Sequence, residues 1–385
     1  MFRPNQMGVY FHWPFCEARC PYCDFNAHVR EGLNQEEWVQ AYLRAIEYYS
    51  DILPDKQVVS IFFGGGTPSL MAPQTVEAII DKVQSSWSVS NDIEISLEAN
   101  PTSAENDKFA GFRAAGVNRV SLGVQALNDE ELGFLGRTHD LKEAMAAIDL
   151  AQTHFDRFSF DLIYARPDQT LAAWERELTR AIEMSAGHLS LYQLTIERNT
   201  PFYMRHSRGE FSIPDDVAGA DFYALTQDIT QAAGMLAYEV SNHALAGHEC
   251  RHNMVYWRMA DYIGIGAGAH GRFLRGGNKY ATRDHAAPEI WKERVITAGH
   301  GAHEPEQLSN EDIFHELLMM GLRLAGGVFV DDIEARTGLS FFSQVDRKRF
   351  ETAIEQQWIV REEDNVRLSR EGMLRLNALI PYILI

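Results

Sequence analysis

The feature that most constrains the fold is a repeated alternation of apolar runs and amphipathic stretches from residue 8 to about residue 270. The apolar runs are short and mostly continuous, as in parallel strands that are covered on both faces. Between them, residues such as Trp38, Tyr42 and Ile46 recur at helical spacing. Repeated strand–helix units imply parallel strands with right-handed crossovers, and so many units favour a full or partial (β/α) barrel over a doubly wound sheet. The predicted strands are 8–12, 58–63, 93–98, 119–124, 158–163, 189–196 and 236–241.

The segment 304–385 shows a different order of patterns. Three helical patterns come first and two short strand patterns follow, as in a small winged-helix-like α+β domain. Such a shape often binds DNA, but residues 305–385 carry 9 Lys and Arg against 14 Asp and Glu, which favours a packing or lid role. The helical patterns lie at 313–324, 330–337 and 350–357, and the strand patterns at 358–361 and 366–369.

Charge and hydropathy limit the cellular location and the partners that we expect for the chain. The formal charge of −19 argues against broad electrostatic capture of nucleic acid or anionic lipid. No stretch approaches the roughly 20 apolar residues that cross a bilayer, and no secretory signal pattern precedes the first predicted strand. We therefore expect a cytoplasmic protein with no nucleic-acid partner and at most peripheral membrane contact. The expected division is a partial barrel at 1–240, a connecting segment at 241–303 and a C-terminal domain at 304–385.

Three of the four cysteines lie within eight positions, directly after the first predicted strand. Cys16, Cys20 and Cys23 have the spacing C-x3-C-x2-C, and three thiolates on one loop can each bind an iron of a [4Fe–4S] cubane. A cluster held entirely by protein needs a fourth cysteine. The remaining one, Cys250, is distant in sequence, so one iron stays open to an exogenous ligand unless the fold returns Cys250 to the loop.

Structural zinc is the alternative interpretation of the same cysteines. His12 or His28 would then complete a site with three thiolates and one imidazole. Zinc sites more often use two separated cysteine pairs, which a single crowded triplet does not provide. On this interpretation the chain is a zinc-stabilised interaction protein without redox chemistry.

The cysteine motif at the end of the first barrel strand resembles that of the radical S-adenosylmethionine superfamily. This resemblance implies that the methionyl amine and carboxylate of S-adenosyl-L-methionine occupy the open iron, and that an electron from the cluster cleaves the sulfonium. Residues 64–68, Gly-Gly-Gly-Thr-Pro, follow the second strand, where a backbone without side chains can approach the methionyl group. The cofactor-binding residues that match the family are Tyr10, Tyr22, Gly65, Gly66, Thr67, Glu98, Gln125, Arg137 and Asp161.

Within this superfamily the chain resembles the oxygen-independent coproporphyrinogen III oxidases and the related haem chaperones. The oxidase motif continues with a further cysteine where Phe25 stands here, and only nine residues precede Tyr10 where the oxidases have a long extension. Residues 252–257, His-Asn-Met-Val-Tyr-Trp, match the H-N-x-x-Y-W motif of the chaperones. The imidazole of His252 is therefore the expected haem ligand, and Cys250 is a weaker candidate.

The resemblance implies a haem chaperone that binds a [4Fe–4S] cluster, S-adenosyl-L-methionine and haem and delivers haem to client haemoproteins. An electron donor such as flavodoxin or ferredoxin is implied as a further partner. The alternative function is oxygen-independent coproporphyrinogen III oxidase, a radical decarboxylase. The sequence identifies no catalytic residue and leaves open whether the chain is an enzyme.

Overall fold

A twelve-stranded sheet organises most of the chain. The computed structural model describes residues 2–30, 32–102 and 108–385. Two smaller sheets, of two and three strands, lie beside the cysteine loop and in the C-terminal segment. The strands are β1 (Gln6–Trp13), β2 (Phe15–Cys16), β3 (His28–Val29), β4 (Gln57–Gly65), β5 (Ser88–Ala99), β6 (Arg119–Gln125), β7 (Arg157–Tyr164), β8 (His188–Gln193), β9 (Leu236–Ala237), β10 (Asn242–Ala244), β11 (Asp261–Ile265), β12 (His270–Arg275), β13 (Asn278–Arg283), β14 (Glu306–Gln307), β15 (Val328–Phe329), β16 (Ile359–Glu362) and β17 (Asn365–Leu368).

The helices whose buried residues share the core of the large sheet connect its strands and cover its outer face, whereas α11 to α16 pack in a separate core. Several begin with side-chain caps that satisfy the first free N–H groups, such as the capping box formed by Asp140 and Glu143. Trp38 and Trp291 stack at 5.9 Å between ring centroids and so join two outer helices. The helices are α1 (Gln35–Ile52), α2 (Pro73–Ser86), α3 (Phe109–Ala114), α4 (Asp129–Phe134), α5 (Leu141–His154), α6 (Leu171–Met184), α7 (Pro201–Ser207), α8 (Asp216–Ala232), α9 (Arg251–Trp257), α10 (Pro288–Ala298), α11 (Asn310–Gly321), α12 (Val330–Thr337), α13 (Phe341–Gln344), α14 (Arg347–Glu355), α15 (Arg370–Met373) and α16 (Leu376–Ile383).

Seven neighbouring strands of the large sheet are parallel, in the order β11-β1-β4-β5-β6-β7-β8. Antiparallel strands extend the sheet beyond β11 and beyond β8. The order is open, because β14 and β9 end the sheet at opposite edges. The chain therefore has the expected α/β fold, a partial barrel followed by a small α+β domain.

The two faces of the barrel strands differ in polarity. Successive residues of a strand point to opposite faces, and Val9, Phe11 and Trp13 of β1 are buried in the apolar core beneath the helices. The inner face carries Tyr10 of β1 and, on neighbouring strands, buried groups such as Ser60. The apolar runs therefore conceal a polar interior. Its other members include Glu94, Ser96, Glu98, Arg119, Ser159, Asp161, His188 and Ser190.

The prediction of a strand at 236–241 is wrong in extent and direction. Only Leu236–Ala237 is extended there, and Asn242–Ala244 then pairs with β8 in the antiparallel sense. The carboxylate of Glu239 accepts hydrogen bonds from the Ser241 N–H and the Asn242 side chain, which closes a tight turn between the two short strands. The seventh parallel strand is instead Asp261–Ile265, which pairs with β1 and was not predicted.

The C-terminal segment has its own apolar core and its own three-stranded sheet, β15-β17-β16. The three predicted helices and the two predicted strands begin within three residues of their predicted starts, and α13, α15, α16 and the short strand β15 are additions. The guanidinium of Arg272 in β12 meets the carboxylate of Glu316 in α11 at 2.8 Å, which joins this domain to the barrel sheet. In the part of the chain that the structure describes, every helix is too short or too polar to span a bilayer.

Candidate functional site

The loop with the three clustered cysteines leaves the carboxyl end of β1. Its two ends are joined because β2 pairs with β3 in a short parallel ladder. The side-chain amide of Asn26 donates to the carbonyls of Ala267 and Ala286, both at 2.8 Å, and so fixes the loop to the segment after β11. The cysteines are free and half-buried. They therefore face a partly enclosed space at the rim of the barrel.

The two histidines considered as zinc ligands are engaged elsewhere. The ring nitrogens of His12 lie 3.0 Å from the Tyr10 hydroxyl and 3.0 Å from the carbonyl of Asn26. His28 contacts the Asn26 side-chain oxygen at 3.2 Å. Among the described residues, no three His, Cys, Asp or Glu side chains converge as ligands of a single ion would. A cubane does not require such convergence, because its thiolates bind separate irons.

A chain of hydrogen bonds links two of the cysteine sulfurs through residues that follow β4, β5 and helix α4. The Thr67 hydroxyl donates to Cys16 Sγ at 3.4 Å, and the Asn100 amide donates to Thr67 Oγ1 at 3.1 Å. Arg137 completes the chain, with Nη2 donating to Asn100 Oδ1 at 2.6 Å and Nη1 donating to Cys20 Sγ at 3.2 Å. We call this chain the sulfur network. It places the Thr67 hydroxyl against Cys16 and the Arg137 guanidinium against Cys20, with Asn100 joining the two.

Burial raises the pKa of the Cys16 and Cys23 thiols. Proximity to the other cysteines acts in the same direction on both. For Cys16, the Thr67 hydroxyl and the Arg137 guanidinium oppose the effect, because they favour the thiolate. Metal binding requires thiolates, so iron taken up here would displace protons from these sulfurs.

The glycines at the end of β4 permit a close approach of the cysteine loop. A Cβ added to Gly66 would lie 2.6 Å from the Phe15 carbonyl oxygen and 2.9 Å from Cys16 Sγ. Gly65 has φ +115°, which other residues rarely adopt, and its Cβ would meet the His12 ring at 2.8 Å. These glycines are therefore required by the packing of the loop. The same packing leaves bare backbone beside the thiols, as the resemblance implied.

Two carboxylates stand inside the barrel below the loop. Burial, with the nearby Asp161 carboxylate, raises the pKa of Glu98 to about 8, although the Gly65 N–H donates to it at 3.2 Å. Burial also raises the pKa of Asp161 to about 6, against the opposing effects of Ser190, Arg119 and Arg137. Near neutral pH, Glu98 is mostly protonated and Asp161 is mostly ionised. The interior therefore offers both a donor and an anion to a bound ligand.

Three further predicted residues lie around the same space. Gln125 ends β6 with φ +72°, an unusual conformation for a residue with a side chain, and it is buried. The Tyr22 ring lies 6.2 Å from Phe202, which packs the cysteine loop against α7. Tyr10 faces inward from β1 and stacks on Phe62 at 6.2 Å. The fold thus brings together the predicted cysteines and the residues matched for S-adenosyl-L-methionine.

His252 does not join the cysteines, although its ring centroid lies 6.2 Å from that of Tyr10. It lies on α9, which packs under the amino-terminal ends of the strands, and it is 1% exposed. Its ring nitrogens lie 2.9 Å from Ser60 Oγ and 2.6 Å from the Tyr256 hydroxyl, and its ring stacks on Phe62. Burial lowers the pKa of His252 to about 3. The imidazole is therefore neutral, and both of its nitrogens have partners inside the protein.

Cys250 is likewise remote from the cysteine loop. Its thiol is buried at the start of α9 and lies 3.5 Å from the Glu94 carboxylate. Burial raises the pKa of Cys250 to about 12. The thiol is therefore neutral and does not come back to the other cysteines as a fourth ligand.

Asn100 is the member of the sulfur network that sequence reasoning missed. It follows the end of β5, one residue before Pro101. An asparagine before a proline usually forms part of a turn, so the residue type alone did not indicate a role in the site. Its position at a strand end on the same rim as Glu98 could have identified it.

Comparison with known proteins gives the same architecture and a family. The Radical SAM superfamily pattern matches residues 10–181, and the HemN C-terminal domain pattern matches residues 308–375. The heme chaperone HemW of Escherichia coli is 36% identical over 387 residues, which cover 100% of both chains. HemW of Haemophilus influenzae is 34% identical and covers 98% of both chains. The mitochondrial radical S-adenosyl methionine domain-containing protein 1 of Bos taurus is 38% identical over 84% of this chain and 74% of its own.

Among solved structures, coproporphyrinogen III oxidase (HemN) from Escherichia coli, a radical SAM enzyme, superposes with a TM-score of 0.81. The match covers 99% of this chain and 90% of HemN, at 21% sequence identity. At that identity, the likeness establishes the fold.

Proposed function

Because the chain belongs to the HemW family within the radical SAM superfamily, we propose that it is a haem chaperone that binds a [4Fe–4S] cluster, S-adenosyl-L-methionine and haem. The observation that carries this proposal is the 36% identity to a heme chaperone over the whole length of both chains. On this proposal, haem passes from the chain to client haemoproteins, and a flavodoxin- or ferredoxin-like donor reduces the cluster. Cytoplasmic location stays a prediction of the sequence.

In this proposal, Cys16, Cys20 and Cys23 hold the cluster. Three free, half-buried thiols on one loop suit a cubane with one iron open, and the buried thiol of Cys250 is engaged with Glu94 instead. When bound, the cluster supplies an electron and an iron that is open to the methionyl amine and carboxylate. Arg137, which donates to Cys20 Sγ, offsets part of the negative charge that three thiolates bring.

The proposed cofactor site is the polar space between the cysteine loop and the inner carboxylates. The bare backbone of Gly65 and Gly66 lets a methionyl group approach beside Cys16. Glu98 and Asp161 offer oxygens to the ammonium and hydroxyl groups of S-adenosyl-L-methionine. The remaining contacts are assigned to Tyr10, Tyr22, Thr67, Gln125 and Arg137, which line the same rim.

The cluster and haem assignments can be tested on one preparation. Anaerobically reconstituted protein should contain iron and labile sulfide, and Cys16→Ser should lose both. Cys250→Ser is the matched control, since that thiol is remote from the loop, and it should keep them. Added haemin should then give a Soret band. When this haem-loaded protein is mixed with an apo-haemoprotein, haem should transfer to the apo-haemoprotein, and the Soret band of the transferred haem should be that of the haemoprotein. Absence of haemin binding by the fully reconstituted protein would overturn the chaperone proposal.

The alternative function, coproporphyrinogen III oxidation, is decided by a parallel assay. Phe25 stands two residues after Cys23, where the oxidases have another cysteine, and it is 60% exposed. The reconstituted protein should therefore form no protoporphyrinogen from coproporphyrinogen with S-adenosyl-L-methionine and reductant. Turnover in this assay would make the chain an oxidase and would replace the chaperone proposal.

A further inference from the structure

A cavity of about 1490 Å³ lies at the end of the barrel opposite to the cysteine loop. One wall is formed by α9 and the segment that follows it, and the facing wall by α11, β15 and α12. The segment before β1 closes a third side. We call this space the amino-end cavity. It exceeds the roughly 300–1,000 Å³ of common small-molecule pockets and lies between two domains, where such pockets often form.

The helix α9 has one face toward the barrel interior and another toward the amino-end cavity. His252 and Tyr256 face the barrel interior, where they bond to each other and the His252 ring stacks on Phe62. Met254 and Trp257 line the amino-end cavity instead. Trp257 Nε1 is buried and has no hydrogen-bond partner among the described residues. The motif at 252–257 therefore gives the cavity a thioether and an indole, while its histidine lies behind them.

The charge of the cavity wall contrasts with the charge of the whole chain. The chain carries −19, yet six basic side chains line this space against three acidic ones. Most of the basic groups are paired within the protein, such as Lys279 with Asp261 at 2.6 Å. Within residues 2–30, 32–102 and 108–385, no ion pair involves Arg3 or Arg258. Two arginines are thus left to meet an anionic ligand. The six basic residues are Arg3, Arg157, Arg251, Arg258, Lys279 and Arg336, and the three acidic ones are Glu249, Asp261 and Asp332.

Along α11 and β15 the opposite wall is mostly apolar. Ile313 and Leu317 of α11 line it together with Phe329 of β15, whose ring is half exposed. A ligand that suits all these walls is large and mostly apolar, carries carboxylates at one edge and accepts a soft ligand atom. Haem has these properties, since iron porphyrins take methionine as an axial ligand and their propionates pair with arginine.

We propose that the amino-end cavity is the haem site, with the Met254 thioether on the iron side and Arg3 and Arg258 opposite the propionates. This inference rests on the proposed haem-binding function and assigns its location. A thioether is a weaker iron ligand than an imidazole, which suits a protein that must release haem again. His252 then supports α9 from behind and does not touch the iron.

Gly326 allows a direct test of the location. It lines the cavity, and a Cβ added there meets no heavy atom within 4 Å. In haemin titrations of the full-length reconstituted protein, Gly326→Phe should weaken binding about tenfold or more. Gly326→Ala is the matched control and should bind as the wild type does. Circular dichroism and iron content establish that both variants fold.

The arginines and Met254 test the orientation of haem without filling the cavity. Arg258→Ala removes an exposed side chain and should weaken haemin binding about fivefold to tenfold. Arg294→Ala, an exposed arginine on α10, should change nothing. Met254→Leu should shift the Soret band of bound haem, which a purely structural role would leave in place.

The outcomes separate the location from the function. If the wild type binds haemin and Gly326→Phe, Arg258→Ala and Met254→Leu all bind it with wild-type affinity and spectrum, the cavity is not the site although the chain is still a haem binder. If His252→Ala changes the Soret band while Met254→Leu does not, the iron lies at the histidine and the inference is overturned. If the wild type itself binds no haemin, the proposed function fails first.

Discussion

Two carboxylates in the barrel interior, Glu98 and Asp161, differ in charge at neutral pH. The pKa of Glu98 is raised to about 8 and that of Asp161 to about 6, in both cases mainly by burial. A bound cation near these groups favours their ionised forms. The protein therefore keeps an electrostatic preference for a cationic ligand at the place where S-adenosyl-L-methionine is assigned.

Glu98→Gln should stabilise the cofactor-free protein in a pH-dependent way. The folded-state pKa of about 8 exceeds the ordinary value of 4.5, so the stability that Glu98 contributes is complete below about 4.5 and is lost as pH rises through 8. Urea unfolding should show the variant more stable than the wild type at pH 8 by on the order of 4 kcal/mol, with a small difference at pH 4.5. Glu355→Gln, exposed on α14, serves as control. A difference that does not change with pH would contradict the assignment.

Arg137→Leu should make the reconstituted cluster less durable. Arg137 donates to Cys20 Sγ and to Asn100, so its loss leaves one thiolate without a cationic donor and opens the sulfur network. A charge-assisted hydrogen bond of about 1.5 kcal/mol corresponds to roughly tenfold faster loss of iron to a chelator. The exposed Arg113 on α3 offers the matched control, Arg113→Leu. Equal rates of iron loss in both variants would argue against the network.

At the scale of elements, the sequence predicts six of the seven parallel strands because each is a compact apolar run. The seventh, β11, reads Asp-Tyr-Ile-Gly-Ile and lacks such a run, and glycines crowd the segment that follows it. Gly264 lies against the backbone of His270, where a Cβ would approach its carbonyl oxygen within 2.2 Å. The glycines thus permit a close contact between strands, which an apolar pattern does not reveal. In addition, β11 pairs with β1 across more than 250 residues. Single-sequence periodicity does not encode such pairing.

The sequence predicted those parts of the site whose residue types are distinctive and which stand at the ends of strands. The cysteines and the glycines at the end of β4 stand out in the sequence and meet at one rim. His252 was singled out by its motif, but which side of α9 it occupies depends on packing that the sequence does not display. The hydrogen bonds to Ser60 and Tyr256 decide that question.

Gly66→Ala tests how closely β4 and the cysteine loop must approach. The new methyl group would lie 2.6 Å from the Phe15 carbonyl oxygen, so the loop has to move. We expect a loss of about 1–3 kcal/mol in the free energy of unfolding and less iron after reconstitution. Gly133→Ala is the control, because a Cβ there meets no atom within 4 Å and helix α4 should gain about 0.5–1 kcal/mol. Full iron content in Gly66→Ala would show that the loop tolerates the displacement.

Across the whole molecule, the two proposed ligand sites lie at opposite ends of the barrel. The eight residues of β1 run from the segment beside the amino-end cavity to the cysteine loop, which at about 3.3 Å per residue is roughly 26 Å. Haem in the cavity and a cluster on the loop would therefore not touch. Any influence of one on the other has to pass through the polar interior and the packing of α9.

The attachment of the C-terminal domain should affect only one of these ends. Arg336 on α12 donates to the carbonyls of Arg258 at 3.1 Å and Met259 at 2.5 Å, just after α9. Arg336→Met leaves these carbonyls without that donor, and we expect it to cost about 1–3 kcal/mol of unfolding free energy. Haemin affinity should fall, because the walls of the amino-end cavity are no longer held together, while iron content stays at the wild-type level. Lys348→Met, an exposed cation of the same domain, should leave all three quantities unchanged. A parallel loss of iron in Arg336→Met would mean that the two ends of the barrel are coupled more tightly than their separation implies.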